Sequence, residues 1–314
     1  MSLRSGMNLL LRVLGALFAV SLVFAATAAL AGWRDDIPAL RVGVLGGNDA
    51  AYRIAALEPF RVYIQDKIGV PVEIVPEPTY DALIAAQAGG RVDYAIYSAT
   101  AYATAVVKCE CVEAFAAPVA ADGALGFYAI FVSRSGDSIA DLAGAEGKRL
   151  GLGPVDSVAG SLVPLHALAA ADIDPDTYFL SVTEYPTPEE AVTRLLGGEV
   201  DLAAAWSSQT GSASLGYSFG TLNRMVAEGR LDMNRVRVVW QSRLIPFGPH
   251  ALRTSLPEEL KSLLSGALLS MAREDPEALD AIDRLGFGGG GFATPDASLY
   301  ALVIDLVTPP AESN

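Results

Sequence analysis

The 314-residue chain is 52% hydrophobic, yet it carries 36 acidic against 22 basic residues, a formal net charge of −14. So acidic a surface excludes nucleic acid or an anionic membrane face as a partner held by charge; a small anion held by local N–H groups and hydroxyls stays open. With two cysteines and two histidines in the whole chain, no metal centre and no cofactor are expected.

The first segment reads as a secretory signal peptide over residues 1–31. Arg4 and Arg12 form a basic start, Val13 to Leu30 is apolar, and Ala29-Leu30-Ala31 is a small-x-small cleavage site. An uncleaved anchor is the competing reading, because Leu9 to Ala31 is nearly long enough to span a bilayer. The Ala-rich end favours cleavage, which removes two positive charges and takes the net charge from −14 to −16. The remainder is expected to be exported to the periplasm, and its length suits two domains of common size.

A strand is predicted over Leu40 to Leu45, ending in Gly46-Gly47-Asn48-Asp49, then a helix over Ile54 to Ile68 and a strand over Val70 to Val75. Such alternation implies an α/β architecture with largely parallel pairing. Tyr80 to Ala88 reads as a helix closed by Gly89-Gly90, leading through Arg91-Val92-Asp93 to an apolar strand that ends in Tyr97-Ser98. Cys109-Glu110-Cys111 either forms a tight disulfide or stays a thiol pair. Phe127 to Val132 is a β-rich run suited to crossing between two halves of the molecule.

Lys148 to Leu152 is a further strand, stopping at Gly153-Pro154 and turning through Ser157-Val158-Ala159-Gly160-Ser161 into a helix over Leu162 to Ala171. Backbone N–H groups at such a turn lack internal partners and can cradle an anion, and Pro164 removes one helical hydrogen bond nearby. Thr187-Pro188-Glu189-Glu190 reads as a capping box, so Glu190 is assigned no ligand role. The helix it starts ends in Gly197-Gly198 and leads through Glu199-Val200-Asp201 to a strand ending in Trp206-Ser207. This repeats the Tyr80 to Ser98 pattern and marks a duplicated lobe. Asp93 and Asp201 occupy matching positions and read as structural. Val236 to Gln241 is a second crossing strand; Leu256 to Arg273 and Pro276 to Leu285 read as helices, Gly286 to Gly291 as a glycine loop, and Asp296 to Val307 as the last helix.

In this order the segments resemble the periplasmic substrate-binding proteins of phosphate, phosphite and phosphonate ABC transporters, which have the type II, transferrin-like periplasmic binding protein fold. The resemblance runs from about Leu40 to Leu306. It is carried by Pro59-Phe60 through Gly69-Val70-Pro71-Val72-Glu73, Tyr80-Asp81-Ala82-Leu83-Ile84, Gly90-Arg91-Val92-Asp93 and Ser98-Ala99-Thr100-Ala101-Tyr102. Further along come Ser157-Val158-Ala159-Gly160, Gly198-Glu199-Val200-Asp201 and Gln241-Ser242-Arg243-Leu244-Ile245-Pro246. It implies two lobes, each a mainly parallel sheet flanked by helices, with two crossing strands as hinge: residues 39–132 and 243–308 in lobe 1, residues 133–242 in lobe 2.

The implied function is a monomeric, non-enzymatic periplasmic protein that closes on a small polar or anionic solute and delivers it to a membrane permease. The alternative is a sensing module of the same fold that binds another solute and signals to a membrane receptor. An enzyme on this scaffold would need a reactive cleft group, and Cys109 and Cys111 are the only thiols. The expected ligand-binding residues are Tyr80, Tyr97, Ser98, Thr100 and Tyr102 from one lobe, and Ser157, Val158, Gly160, Ser161, Tyr185 and Trp206 from the other. Ser242 joins them from the crossing segment. Relatives that bind a phosphonate head group usually show Ser-Thr-Ser-Gly where this chain has Ser157-Val158-Ala159-Gly160, so two of three hydroxyl donors are absent. Tyr185 stands where many relatives have a His. Ile245-Pro246-Phe247-Gly248-Pro249 lacks the acid that often follows the Ile-Pro pair in relatives that bind an amino-bearing ligand.

Overall fold

The computed structural model describes residues 32–46, 49–283, 289–296 and 298–309. The expected leader over 1–31, Gly47-Asn48 and the first half of the Gly286 to Gly291 loop lie outside the described residues.

Two sheets build two lobes. The first has the order β12-β4-β11-β3-β1-β2, and the second β10-β5-β8-β6-β7 with β9 also paired to β5. In lobe 1, β1 (Leu40–Leu45) lies between β2 (Val72–Glu77) and β3 (Tyr94–Ile96), all parallel. Beside them run β4 (Val112–Pro118), β11 (His250–Arg253) and the short β12 (Phe292–Ala293). In lobe 2, β6 (Arg149–Leu152) lies between β7 (Ser181–Glu184) and β8 (Leu202–Ser207) in parallel. The strands β5 (Gly126–Arg134), β9 (Val236–Gln241) and β10 (Ile245–Pro246) complete that sheet.

The expected mainly parallel pairing therefore covers only half of each sheet. Strands β1, β3, β6 and β8 all end at the edge facing the other lobe. A chain leaving lobe 1 at that edge through β4 must enter lobe 2 at the same edge, so β5 runs antiparallel to β8. The return through β9 brings β11 into lobe 1 antiparallel to β3 by the same geometry. A lobe boundary at 132/133 would also cut β5, whose residues pair with β8 and β9 over its length. The chain passes between the two sheets at 119–125, after β4, and at 247–249, after β10.

Helices cover both faces of each sheet. On one face of lobe 1 lie α2 (Glu58–Ile68), α8 (Glu258–Glu274) and α9 (Pro276–Ile282), burying Phe60, Ile64, Leu264, Leu268 and Leu279 against Val42 and Val44. On the other lie α3 (Tyr80–Ala88), α4 (Ala99–Cys109) and α10 (Ala301–Val307). In lobe 2, α5 (Val163–Ala170) covers one face, and α6 (Pro188–Leu196) and α7 (Thr221–Ala227) cover the other. The helix expected over Ile54 to Ile68 is two, because α1 (Ala50–Ala56) stops and α2 begins after Leu57. Pro59 has no N–H for the Ala55 carbonyl and fits only in a first turn.

The duplicated pattern is carried by the same ion-pair geometry in both lobes. Asp93 Oδ2 accepts from the Arg41 N–H (3.1 Å) and Nε (2.8 Å), and Oδ1 from Arg41 Nη2 (2.8 Å). Asp201 repeats this with Arg149 at 3.1, 2.9 and 2.7 Å, at the same separation of 52 residues. A second arginine completes each cluster: Arg253 on β11 at 2.9 Å, Arg134 on β5 at 3.1 Å. These carboxylates tie the start of one central strand to its neighbours, the structural role their matching positions imply. Gly90 and Gly198 close α3 and α6 at φ of 72° and 78°, a conformation that favours glycine.

Candidate functional site

A cavity of about 330 Å³ opens at the C-terminal end of β3, where the crossing segments meet the first lobe. In open α/β sheets this edge is where ligands bind. Its polar corner is made by Tyr80, the first residue of α3, and by Ser98, Ala99 and Thr100 at the start of α4. Ser98 Oγ accepts from the Ala101 N–H (3.2 Å), capping α4, and lies 3.4 Å from Thr100 Oγ1. The N–H groups of Ala99 and Thr100 have no acceptor within the helix, as for any first helical turn, and carry the positive end of its dipole.

The facing side is formed by Val158 and by Phe127 of β5, with Ile245 to Gly248 of the second crossing passing between. Gly248 is required there: a Cβ would collide with the Tyr97 carbonyl oxygen and stand 2.7 Å from Ser98 Cα. The inner wall is apolar, with Pro118, Val119, Leu279, Ile282 and Phe292. His250 closes it, 2% exposed, with Nδ1 hydrogen-bonded to the Tyr94 hydroxyl and its ring 4.7 Å from that of Phe292, edge to face.

Of the expected ligand-binding residues, the structure brings Tyr80, Tyr97, Ser98, Thr100 and Val158 to this cavity. Tyr97 offers its ring and not its hydroxyl, which donates to Gln87 Oε1 at 2.8 Å; burial pushes that hydroxyl's pKa up, so it stays a neutral donor. Gln87 is itself fully buried and donates to the Ala251 carbonyl at 3.1 Å, locking α3 to β11.

The other expected residues are outside the cavity lining, each engaged elsewhere. The Tyr102 hydroxyl accepts from the Ala114 N–H at 3.1 Å, and its ring packs on Tyr300 of the C-terminal segment at 5.0 Å. Ser157 Oγ accepts from the Gly160 N–H at 3.0 Å, capping a π turn over Val158–Leu162. Gly160 lies against Gly153, where an added Cβ would stand 3.1 Å from the Gly153 Cα. Ser161 Oγ donates to the Gly153 carbonyl at 2.9 Å, fixing the same turn from within. Ser242 Oγ accepts from the Ala129 N–H at 3.1 Å and donates to the Arg243 carbonyl at 2.6 Å, holding the crossing segment to β5. Tyr185 packs into the second lobe's core beside Gly151. Trp206 stacks edge-on against Phe127 at 5.2 Å and lies 6.3 Å from Phe219. Its neighbour Ser207 is buried and accepts from the Gln209 N–H at 3.1 Å.

Cys109 and Cys111 are joined as a disulfide at the end of α4, with Glu110 between them at φ 49°. They are not among the residues lining the cavity. At α6 the Thr187 hydroxyl accepts from the Glu190 N–H (3.1 Å), while the Glu190 carboxylate pairs with Arg194 at 2.7 Å, away from the cavity. Sequence reasoning passed over Phe247, His250, Leu279, Ile282 and Phe292. Phe247 lies in the run after the Ile-Pro pair, whose sequence signal is a missing acid, and nothing local marks the others. Tyr102→Phe is expected to lower stability by about 1 kcal/mol, since the Ala114 N–H loses its acceptor, and to leave ligand affinity unchanged. Denaturant unfolding alongside a binding titration checks both halves of that expectation.

The family model described as "ABC transporter, phosphonate, periplasmic substrate-binding protein" matches residues 42–300. Among curated relatives, the phosphonates-binding periplasmic protein of Escherichia coli (strain K12) is 24% identical over 253 residues, covering 79% of this chain and 70% of the relative. The solved structure of PhnD1 from Prochlorococcus marinus in complex with methylphosphonate is 16% identical, with 86% of this chain and 97% of that chain covered and a TM-score of 0.50. A Xanthomonas citri protein solved bound to ATP is 18% identical, with 86% and 95% covered and a TM-score of 0.57. Transferrin 1 from Manduca sexta is 13% identical, with 85% and 45% covered and a TM-score of 0.60. At these identities the solved structures share the two-lobed fold. The family match spans both lobes and both crossings, and the chain belongs to the periplasmic substrate-binding proteins of phosphonate ABC transporters.

Proposed function

We infer that the chain binds the oxyanion head of a phosphonate at the start of α4, through the Ser98 and Thr100 hydroxyls and the first-turn N–H groups, and hands it to its permease. The observation that carries this is the single cavity shared by Ser98, Ala99 and Thr100 of one lobe and Val158 of the π turn in the other. Neutral donors at a helix start can hold an anion without a cationic side chain. The π turn, stiffened by Ser157 and Ser161, closes over the head as the lobes move together by hinge motion. Residues 1–31 serve as the cleaved leader, and the mature chain acts as a monomer without catalytic activity. The lobes divide near 126 and 246, where the crossings enter and leave the second sheet.

Thermal unfolding of the purified protein against phosphate, phosphite, methylphosphonate and 2-aminoethylphosphonate tests the reading. A ligand at a hundred times its Kd adds about 2.7 kcal/mol of stability. Thr100→Val keeps the side-chain shape and removes one donor to a charged oxygen, so binding is expected to weaken at least tenfold with little change in the ligand-free melting temperature. If no phosphorus oxyanion raises the melting temperature, or Thr100→Val binds as tightly as the unaltered chain, the head-group assignment fails.

A further inference from the structure

The cavity has two chemically different ends. One is the donor corner at Ser98 and Thr100; the other is the chamber bounded by Val119, Leu279, Ile282, Phe292 and the ring of His250. Among the described lining residues none is lysine or arginine, and Asp283 is the only carboxylate. Leu279 and Ile282 come from successive turns of α9 and Phe292 from β12, so the chamber is held by elements packed into the lobe 1 core. A solute seated with its oxyanion at α4 has room to place its remaining atoms in that chamber.

We propose that the substrate is a phosphonate carrying an uncharged hydrocarbon substituent of about four to six carbons, which fills the chamber beneath α9. The proposal rests on the head-group reading above and adds the nature of the other end. The 330 Å³ of space equals about eleven shares of liquid water, and a phosphonate group uses roughly four of them, leaving room for a short alkyl chain or a ring. Hydrocarbon in contact with Leu279, Ile282 and Phe292 leaves water at a gain proportional to its area. A substituent ending in an ammonium would shed its hydration against the same walls with one carboxylate, Asp283, of opposite sign. One ion pair seldom returns the cost of desolvating both partners.

Calorimetric titration of the purified protein with methyl-, ethyl-, propyl- and butylphosphonate reads the chamber directly. Each methylene is expected to tighten binding about fourfold, which corresponds to about 0.8 kcal/mol. Propylphosphonate and 2-aminoethylphosphonate have nearly the same shape, and propyl is expected to bind at least tenfold tighter. Ile282→Thr should reduce the ratio of butyl to methyl affinity at least threefold; if that variant does not fold, the series on the unaltered protein decides. A flat alkyl series, or 2-aminoethylphosphonate equal to or tighter than propyl, overturns the proposal and leaves the head-group reading standing. Failure of every phosphonate to bind overturns both.

Discussion

Asp93→Asn is expected to lower the free energy of unfolding by about 3 kcal/mol. The Asp93 side chain is 1% exposed and accepts from three groups of Arg41 and from Arg253. An asparagine keeps the volume but turns an NH2 group toward one guanidinium, so partly buried arginine donors lose their acceptor while remaining charged. Breaking a buried pair on one side costs about 3–5 kcal/mol; Arg41 and Arg253 are 36% and 26% exposed, which places the effect at the lower end. Chemical denaturation should show a lower midpoint with an unchanged slope. A loss below about 1 kcal/mol would mean that the ion pair contributes little, as an exposed one would.

The counterpart in lobe 2 predicts a pH dependence. The hydrogen bond from Arg149 holds the Asp201 carboxyl well below the usual carboxylate range, against an opposing effect of desolvation. A folded-state pKa lower than the unfolded one means the stabilisation is fully present above the unfolded value, about 4. It is lost as pH falls from there toward the folded value. Asp201→Asn should therefore be less stable than the unaltered chain at neutral pH, and the gap should shrink as the solution is acidified below about pH 4. A gap that stays constant down to strong acid would sink this account.

Gly248→Ala is the second large effect. The added methyl would overlap the Tyr97 carbonyl oxygen and press on Ser98 Cα at 2.7 Å. The neighbouring Pro249 carbonyl accepts from the Tyr97 N–H at 3.1 Å, so the crossing segment cannot retreat without losing a backbone bond. Overpacking of this kind costs about 2 kcal/mol, which lowers the melting temperature of a chain this size by about 3–4 °C. The same displacement moves Ser98 and the start of α4, so ligand affinity should fall at least tenfold along with stability. Melting curves recorded with and without ligand separate the two losses. A variant that melts lower yet binds normally would show that Gly248 matters for packing alone.

Much of the architecture was legible because it is encoded locally. Thr79 accepts from the Ala82 N–H at 3.1 Å and Gly90 takes a left-handed conformation, so both ends of α3 stand where the residue pattern puts them. The π turn at Val158–Leu162 sits where the missing N–H of Pro164 loosens the helix start. The echo of Arg91-Val92-Asp93 in Glu199-Val200-Asp201 marks two lobes built on one plan. Each rests on propensities, caps and periodicities acting within a dozen residues.

Which hydroxyls face the cavity was a different matter. Tyr102 and Ser242 carry the same groups as residues that do line clefts, but their partners, the Ala114 and Ala129 N–H groups, lie 12 and 113 residues away. The chamber wall depends on strand order: β11 and β12 enter the first sheet only after the chain has returned from lobe 2, bringing His250 and Phe292 beside Tyr94 and Pro118. Short-range chemistry decides where helices and strands begin and end. The direction a side chain faces, and so whether it meets ligand or core, is decided by contacts across large sequence separations that no local pattern records.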